Sequence, residues 1–120
     1  MNQLQMLQNE LQSIGFQACN DMFFTLPLEP HYYRDTEGNH VILSSVNVCI
    51  FKGNNTTEDK LGCVTLAYRG TFKRKGCRQS FMHDVIKFVK VINNADEATE
   101  QIKSWMNEAQ NICKQWKKIL

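Results

Sequence analysis

Ten apolar residues in the last quarter of the chain recur with the period of about 3.6 residues that marks one face of a helix. They are Ala98, Ile102, Trp105, Met106, Ala109, Ile112, Cys113, Trp116, Ile119 and Leu120. A stripe of this length is unstable facing water, so the fold must supply an apolar surface to receive it. A helix from about Ala95 to Trp116 would be roughly 33 Å long, more than a single five-residue strand can cover. The segments before it are rich in Val, Ile, Thr and aromatic residues, which favour strands. The expected architecture is therefore α+β: a mostly antiparallel sheet of four to six strands, flanked by an N-terminal helix and the long C-terminal amphipathic helix.

The N-terminal helix is expected over residues 2–14, where Leu4, Leu7, Leu11 and Ile14 recur at spacings of three and four and Gly15 sits at the C-terminal cap. Met22 to Leu28 reads as a strand that Pro27 and Pro30 end or confine to a sheet edge. Residues 31–34, with Tyr32 and Tyr33, begin a second short strand after it. The turn chemistry of Asp35 to Asn39 then leads into a central strand over His40 to Phe51. Gly53 to Asp59 is the expected loop tip, and Leu61 to Arg69 the antiparallel partner that completes a hairpin. Gly70 to Gly76 encloses either a basic turn or the start of another strand. Phe81 to Ile92 fits a helical face behind Ser80, but its Val and Ile content favours a strand. Asn94, Asp96 and Glu97 give the last helix an N-terminal capping pattern, and Lys114, Lys117 and Lys118 suit its C-terminal dipole.

At 120 residues, 42% hydrophobic and 22% charged, with two prolines and six glycines, the chain has the composition of one globular domain spanning 1–120. No repeat or linker divides it. The N-terminus has no basic segment followed by an apolar run, which predicts a cytoplasmic location without membrane insertion. The five cysteines, Cys19, Cys49, Cys63, Cys77 and Cys113, are odd in number and scattered, as expected of free thiols in a reducing compartment. On the same ground the N-x-T triplets at Asn54 and Asn55 are not read as glycosylation sites.

Enzyme chemistry finds little purchase. Cys77, His83 and Asp84 offer a thiol, an imidazole and a carboxylate within a short span, and Lys75 and Arg78 would favour the thiolate. Catalytic Cys and His residues usually come from distant parts of a chain, however, and no signature surrounds Cys77. His31, His40 and His83 lack the paired spacing that preforms half a metal site. No glycine-rich phosphate loop occurs. The expectation is a non-catalytic protein with neither metal nor small-molecule cofactor, and a cysteine enzyme is the remote alternative.

The charge distribution says more. Residues 1–60 carry three Lys/Arg against seven Asp/Glu, whereas residues 61–120 carry eleven against five. The cations Arg69, Lys73, Arg74, Lys75 and Arg78 are interleaved with Tyr68, Phe72 and Phe81. This combination suits phosphate contacts with bases stacked on rings, but it also suits a solvated sheet edge whose lysines prevent aggregation. The sequence pI of about 8.3 is below the range of dedicated nucleic-acid binders. Trp105 and Trp116 lie on one helical face, either as core anchors or as an interface for a second subunit or a protein partner. The favoured functional expectation is a small interaction module that binds a macromolecule, a protein partner or a second copy of itself, in a homodimer built through the helices. The runner-up is a nucleic-acid-binding accessory protein that uses Arg69, Lys73, Arg74, Lys75 and Arg78.

Overall fold

In the computed structural model, which describes residues 2–52 and 60–119, the N-terminal helix α1 (Gln3–Ile14) begins at a reciprocal cap. The Asn2 side chain accepts from the Gln5 amide and the Gln5 side chain accepts from the Asn2 amide. The helix ends at Gly15, whose φ of +116° is a left-handed conformation that glycine adopts without strain. Leu7 and Leu11 are fully buried.

Six antiparallel strands follow the α+β expectation: β1 (Gln17–Asn20), β2 (Phe23–Arg34), β3 (His40–Phe51), β4 (Gly62–Lys73), β5 (Phe81–Ile92) and the short β6 (Lys117–Ile119). Strands β1 to β5 lie side by side in chain order, and β6 pairs with β2. The helix α2 (Ala95–Lys114) separates β5 from β6. Among the described residues no helix is long and apolar enough to cross a membrane.

Several boundaries differ from the sequence reading. The two short strands expected before and after the prolines are one twelve-residue strand, β2. On its outer side β1 covers Phe23 to Thr25 and β6 covers Tyr32 to Arg34, while the middle of the strand pairs only with β3. A proline there removes no bond to an outer neighbour, and the β2–β3 register shifts between Pro27 and His31. Strand β4 continues past Gly70 to Lys73, so the basic turn begins only at Arg74. Phe81 to Ile92 is a strand, as its Val and Ile content favoured. The last helix stops at Lys114, and Trp116, Lys117, Lys118 and Ile119 lie beyond it, the last three in β6. Only Lys114 therefore sits in the last helical turn. The loop expected at Gly53 to Asp59, with its Asn54 and Asn55 triplets, lies outside the described residues, as does Leu120.

Both helices pack on one face of the sheet, and the core sits between. Phe24, Val46, Val48, Leu66, Tyr68 and Ile86 point toward it from the strands, meeting Leu7, Leu11, Ile102 and Ala109. The Trp105 ring stacks on Phe88 at 5.6 Å with planes 8° apart. The helices are tied together by the Thr99 hydroxyl, which donates to Glu10 Oε2, and by the Ala95 amide, which donates to Gln3 Oε1 at 2.7 Å. The Asn94 side chain accepts from the Glu97 amide at 2.8 Å, capping α2 where the sequence placed a cap.

Candidate functional site

Cross-strand register gathers one end of the sheet into a basic cluster. Arg34 ends β2 opposite His40, which begins β3 opposite Lys73, the last residue of β4. These three, with Arg74 and Lys75 from the following turn, surround an open cavity of about 480 Å³ that Cys77 also lines. Two adjacent turns hold it in shape. The Lys75 amide donates to Asn39 Oδ1 at 3.0 Å. Asp35, the nearest acid in sequence, takes the amides of Glu37 and Asn39 on Oδ1. Its carboxylate thus organises its own turn, and among the described residues none of Arg34, Lys73, Arg74 and Lys75 is in an ion pair.

Next to this cluster lies an aromatic platform. Phe72 and Phe81 are cross-strand partners, and His83 completes a trio with ring centroids 5.6 to 5.9 Å apart. Phe81 keeps 47% of its surface exposed. Arg74 lines the cavity beside these rings as well as the basic one, together with Glu37 and Asn39.

Of the cations singled out from sequence, the structure brings Lys73, Arg74 and Lys75 together. Arg69 lies further back along β4, paired with Asp84 at 3.1 Å, and Arg78 is exposed outside the cavity lining. Arg34 and His40 were missed. Each is solitary in sequence, and only the alignment of β2, β3 and β4 delivers them.

The Cys77, His83 and Asp84 set is dispersed. Consecutive strand residues face opposite sides of a sheet, so His83 joins the aromatic trio while Asp84 turns to Arg69. Cys77 lies in the basic cavity. Among the described residues no group of three or more His, Cys, Asp or Glu is assembled for a metal. Trp105 is only 7% exposed and its ring is committed to Phe88. Trp116 is half-buried against Tyr33, centroids 5.6 Å apart.

A second, apolar cavity of about 700 Å³ opens between the C-terminal half of α2 and the helix-facing side of β2, β3 and β4. Tyr33, Tyr68 and Cys113 line it. Burial pushes the Tyr68 hydroxyl up to about 12, with a smaller contribution from Cys113. Tyr33 is raised by the same two causes in the same order, and burial raises Cys113 itself.

Among the described residues no helix covers the opposite face of the sheet. Its rows at one end are Phe51, Cys63 and Val91, then Phe23, Cys49, Thr65 and Val89, with Phe51, Val89 and Val91 among the most exposed apolar side chains.

Comparison with protein-family models, curated proteins and solved structures finds no match to this chain.

Proposed function

We propose that this protein is a non-catalytic macromolecule-binding module whose basic, aromatic end holds single-stranded nucleic acid. The observation that carries this reading is the adjacency of two surfaces. Four cations with no ion pair among the described residues surround one concavity, and an exposed ring platform begins at the same strand ends. Arg34, Lys73, Arg74 and Lys75 neutralise phosphates while bases stack on Phe81 and Phe72, a division of labour that depends little on sequence. The five free cysteines fit work in the reducing cytoplasm. The test is the binding of a labelled oligothymidine followed by anisotropy at rising salt. Binding that weakens steeply supports the reading, and binding that is absent or indifferent to salt refutes it.

The helix-free sheet face supports a second reading, self-association. Its two apolar rows carry no charged residue, the next row brings one cation, Lys87, and the Arg69–Asp84 pair further along is internally neutral. Edge pairing through β5 is opposed by Lys87 and Lys90, so a second copy stacks on the face. Four strands about 4.8 Å apart and roughly four residues of length give an apolar footprint of about 260 Å² per copy. That is about a third of what a stable interface buries on each side, so the dimer is weak and reversible. Sedimentation velocity should show mass rising with concentration and Val91→Lys abolishing the rise. A monomer at every concentration would eliminate this reading.

A further inference from the structure

We propose that the apolar cavity beneath the end of α2 is a binding site for a small amphipathic carboxylate, its head held by Tyr68 and Lys114 and its tail laid along the leucine-lined wall. This site is distinct from the basic cluster and does not depend on the nucleic-acid reading.

Three observations carry the inference. The first is volume and chemistry. At about 700 Å³ the cavity falls within the usual range for small-molecule sites, and Leu26, Leu28, Leu43, Val46, Met106 and Trp116 give it apolar walls.

The second is Tyr68. Its side chain is 6% exposed, and its hydroxyl makes no hydrogen bond among the described residues. No fully enclosed side-chain polar atom among them is left without a partner, so this hydroxyl keeps its opening to the cavity. Open to the cavity and bonded to no protein group among the described residues, the hydroxyl is left to water, and an acceptor that enters the cavity takes the water's place. Because burial holds the phenol neutral far above physiological pH, it is present as a donor.

The third is the sign of the charge at the site. Lys114 and Lys118 both line the cavity and no Asp or Glu does. Tyr68 on β4 and Lys114 on α2 thus give one cavity a donor and a cation, the pairing a carboxylate accepts best. A cationic amphiphile would meet like charge there, and a neutral alcohol would use the hydroxyl but gain nothing from the lysine.

Calorimetric titration of the full chain with decanoate, decanol and a decyl trimethylammonium salt, each below its micellar range, tests this. Decanoate is expected to bind tightest and the cationic chain weakest. Tyr68→Phe, which removes only the hydroxyl, should weaken decanoate about tenfold or more. Lys114→Met should weaken it several-fold and flatten its salt dependence. Thermal unfolding of each variant shows that the fold is kept, and Leu28→Trp, which fills the cavity, should block all three probes. If decanol binds as well as decanoate, or Tyr68→Phe and Lys114→Met leave decanoate unchanged, the carboxylate assignment is wrong. If none of the probes binds the wild-type chain, the site itself is refuted.

Discussion

Neutralising Lys73 and Arg74 as the Lys73→Met, Arg74→Gln double variant removes two of the four Lys and Arg cations that line the basic cavity. For single-stranded nucleic acid, each phosphate neutralised contributes about 0.7 to the slope of log K against log salt. Four contacts therefore predict a slope near −2.8, and affinity should fall roughly fifty-fold between about 50 and 200 mM salt. With two contacts left, the slope should relax to about −1.4 and the loss over the same range to roughly sevenfold. Phe81→Ala acts on a different quantity. It removes a stacking surface worth about 1 to 3 kcal/mol per base and should lower affinity at every salt concentration without changing the slope. Anisotropy of a labelled oligothymidine at several ionic strengths reads both effects. Two outcomes would refute the reasoning: a wild-type slope near zero, or a double variant whose slope equals that of the wild type. In the second case the phosphates lie elsewhere on the protein.

Other predictions concern the scaffold. A Cβ added at Gly70 would lie 1.8 Å from the Ile42 carbonyl oxygen of the neighbouring strand. Gly70→Ala should therefore destabilise the fold by about 3 kcal/mol, the upper end of overpacking costs, read as a lower urea midpoint. Trp105→Ala deletes the ring stacked on Phe88 at the centre of the α2–sheet contact and should cost about 3–5 kcal/mol by the same assay. The Tyr68 phenol ionises at about 12 in the folded state against 10.0 in the unfolded chain. A raised folded value means that the unfolded chain loses its proton first. Stability is therefore full below about pH 10 and declines towards pH 12, by up to roughly 2–3 kcal/mol. Tyr68→Phe should remove that part of the alkaline decline, and an unchanged pH profile in the variant would contradict the assignment.

The elements with strong internal periodicity were legible before any coordinates. The α2 stripe and the Leu4–Leu7–Leu11 face each announce one buried side, and burial is what the pattern records, whereas β3 and β5 were read from their Val and Ile content, β5 against a helical alternative. The failures share a cause. Strands β1 and β6 have no buried residue between them, so no alternation marks them. They exist because β2 offers open backbone on its outer side. The unbroken β2 was hidden for the related reason that its prolines are tolerated only where that side has no neighbour. Trp116 continues the helical spacing yet lies outside the helix. After Gln115 the chain gains more by pairing with Tyr32, Tyr33 and Arg34 than by another helical turn. At the candidate site the local run Lys73, Arg74 and Lys75 was visible. Arg34 and His40 were not, because their membership depends on strand register.

The same register explains how a chain with a net charge of only +2 can gather a cluster of cations at one end. Strands β2 to β5 are each twelve residues long and alternate in direction, so the ends of β2 and β4 and the starts of β3 and β5 fall together. Arg34, His40, Lys73 and Phe81 occupy these positions. The far end receives the start of α2, where Asp96 and Glu97 complement the helix dipole. The fold thereby places these two acids and the basic cluster towards opposite ends of the sheet, in a molecule 49 Å in its longest dimension. At physiological ionic strength charges are screened over about 8 Å, so the carboxylates at the far end scarcely reduce the potential at the basic cluster. The overall pI, which argued against nucleic acid, averages two regions that an approaching ligand meets separately. The local balance of Arg34, Lys73, Arg74 and Lys75 against Asp35 and Glu37 is what it encounters, and Asp35 is already engaged by the amides of its own turn.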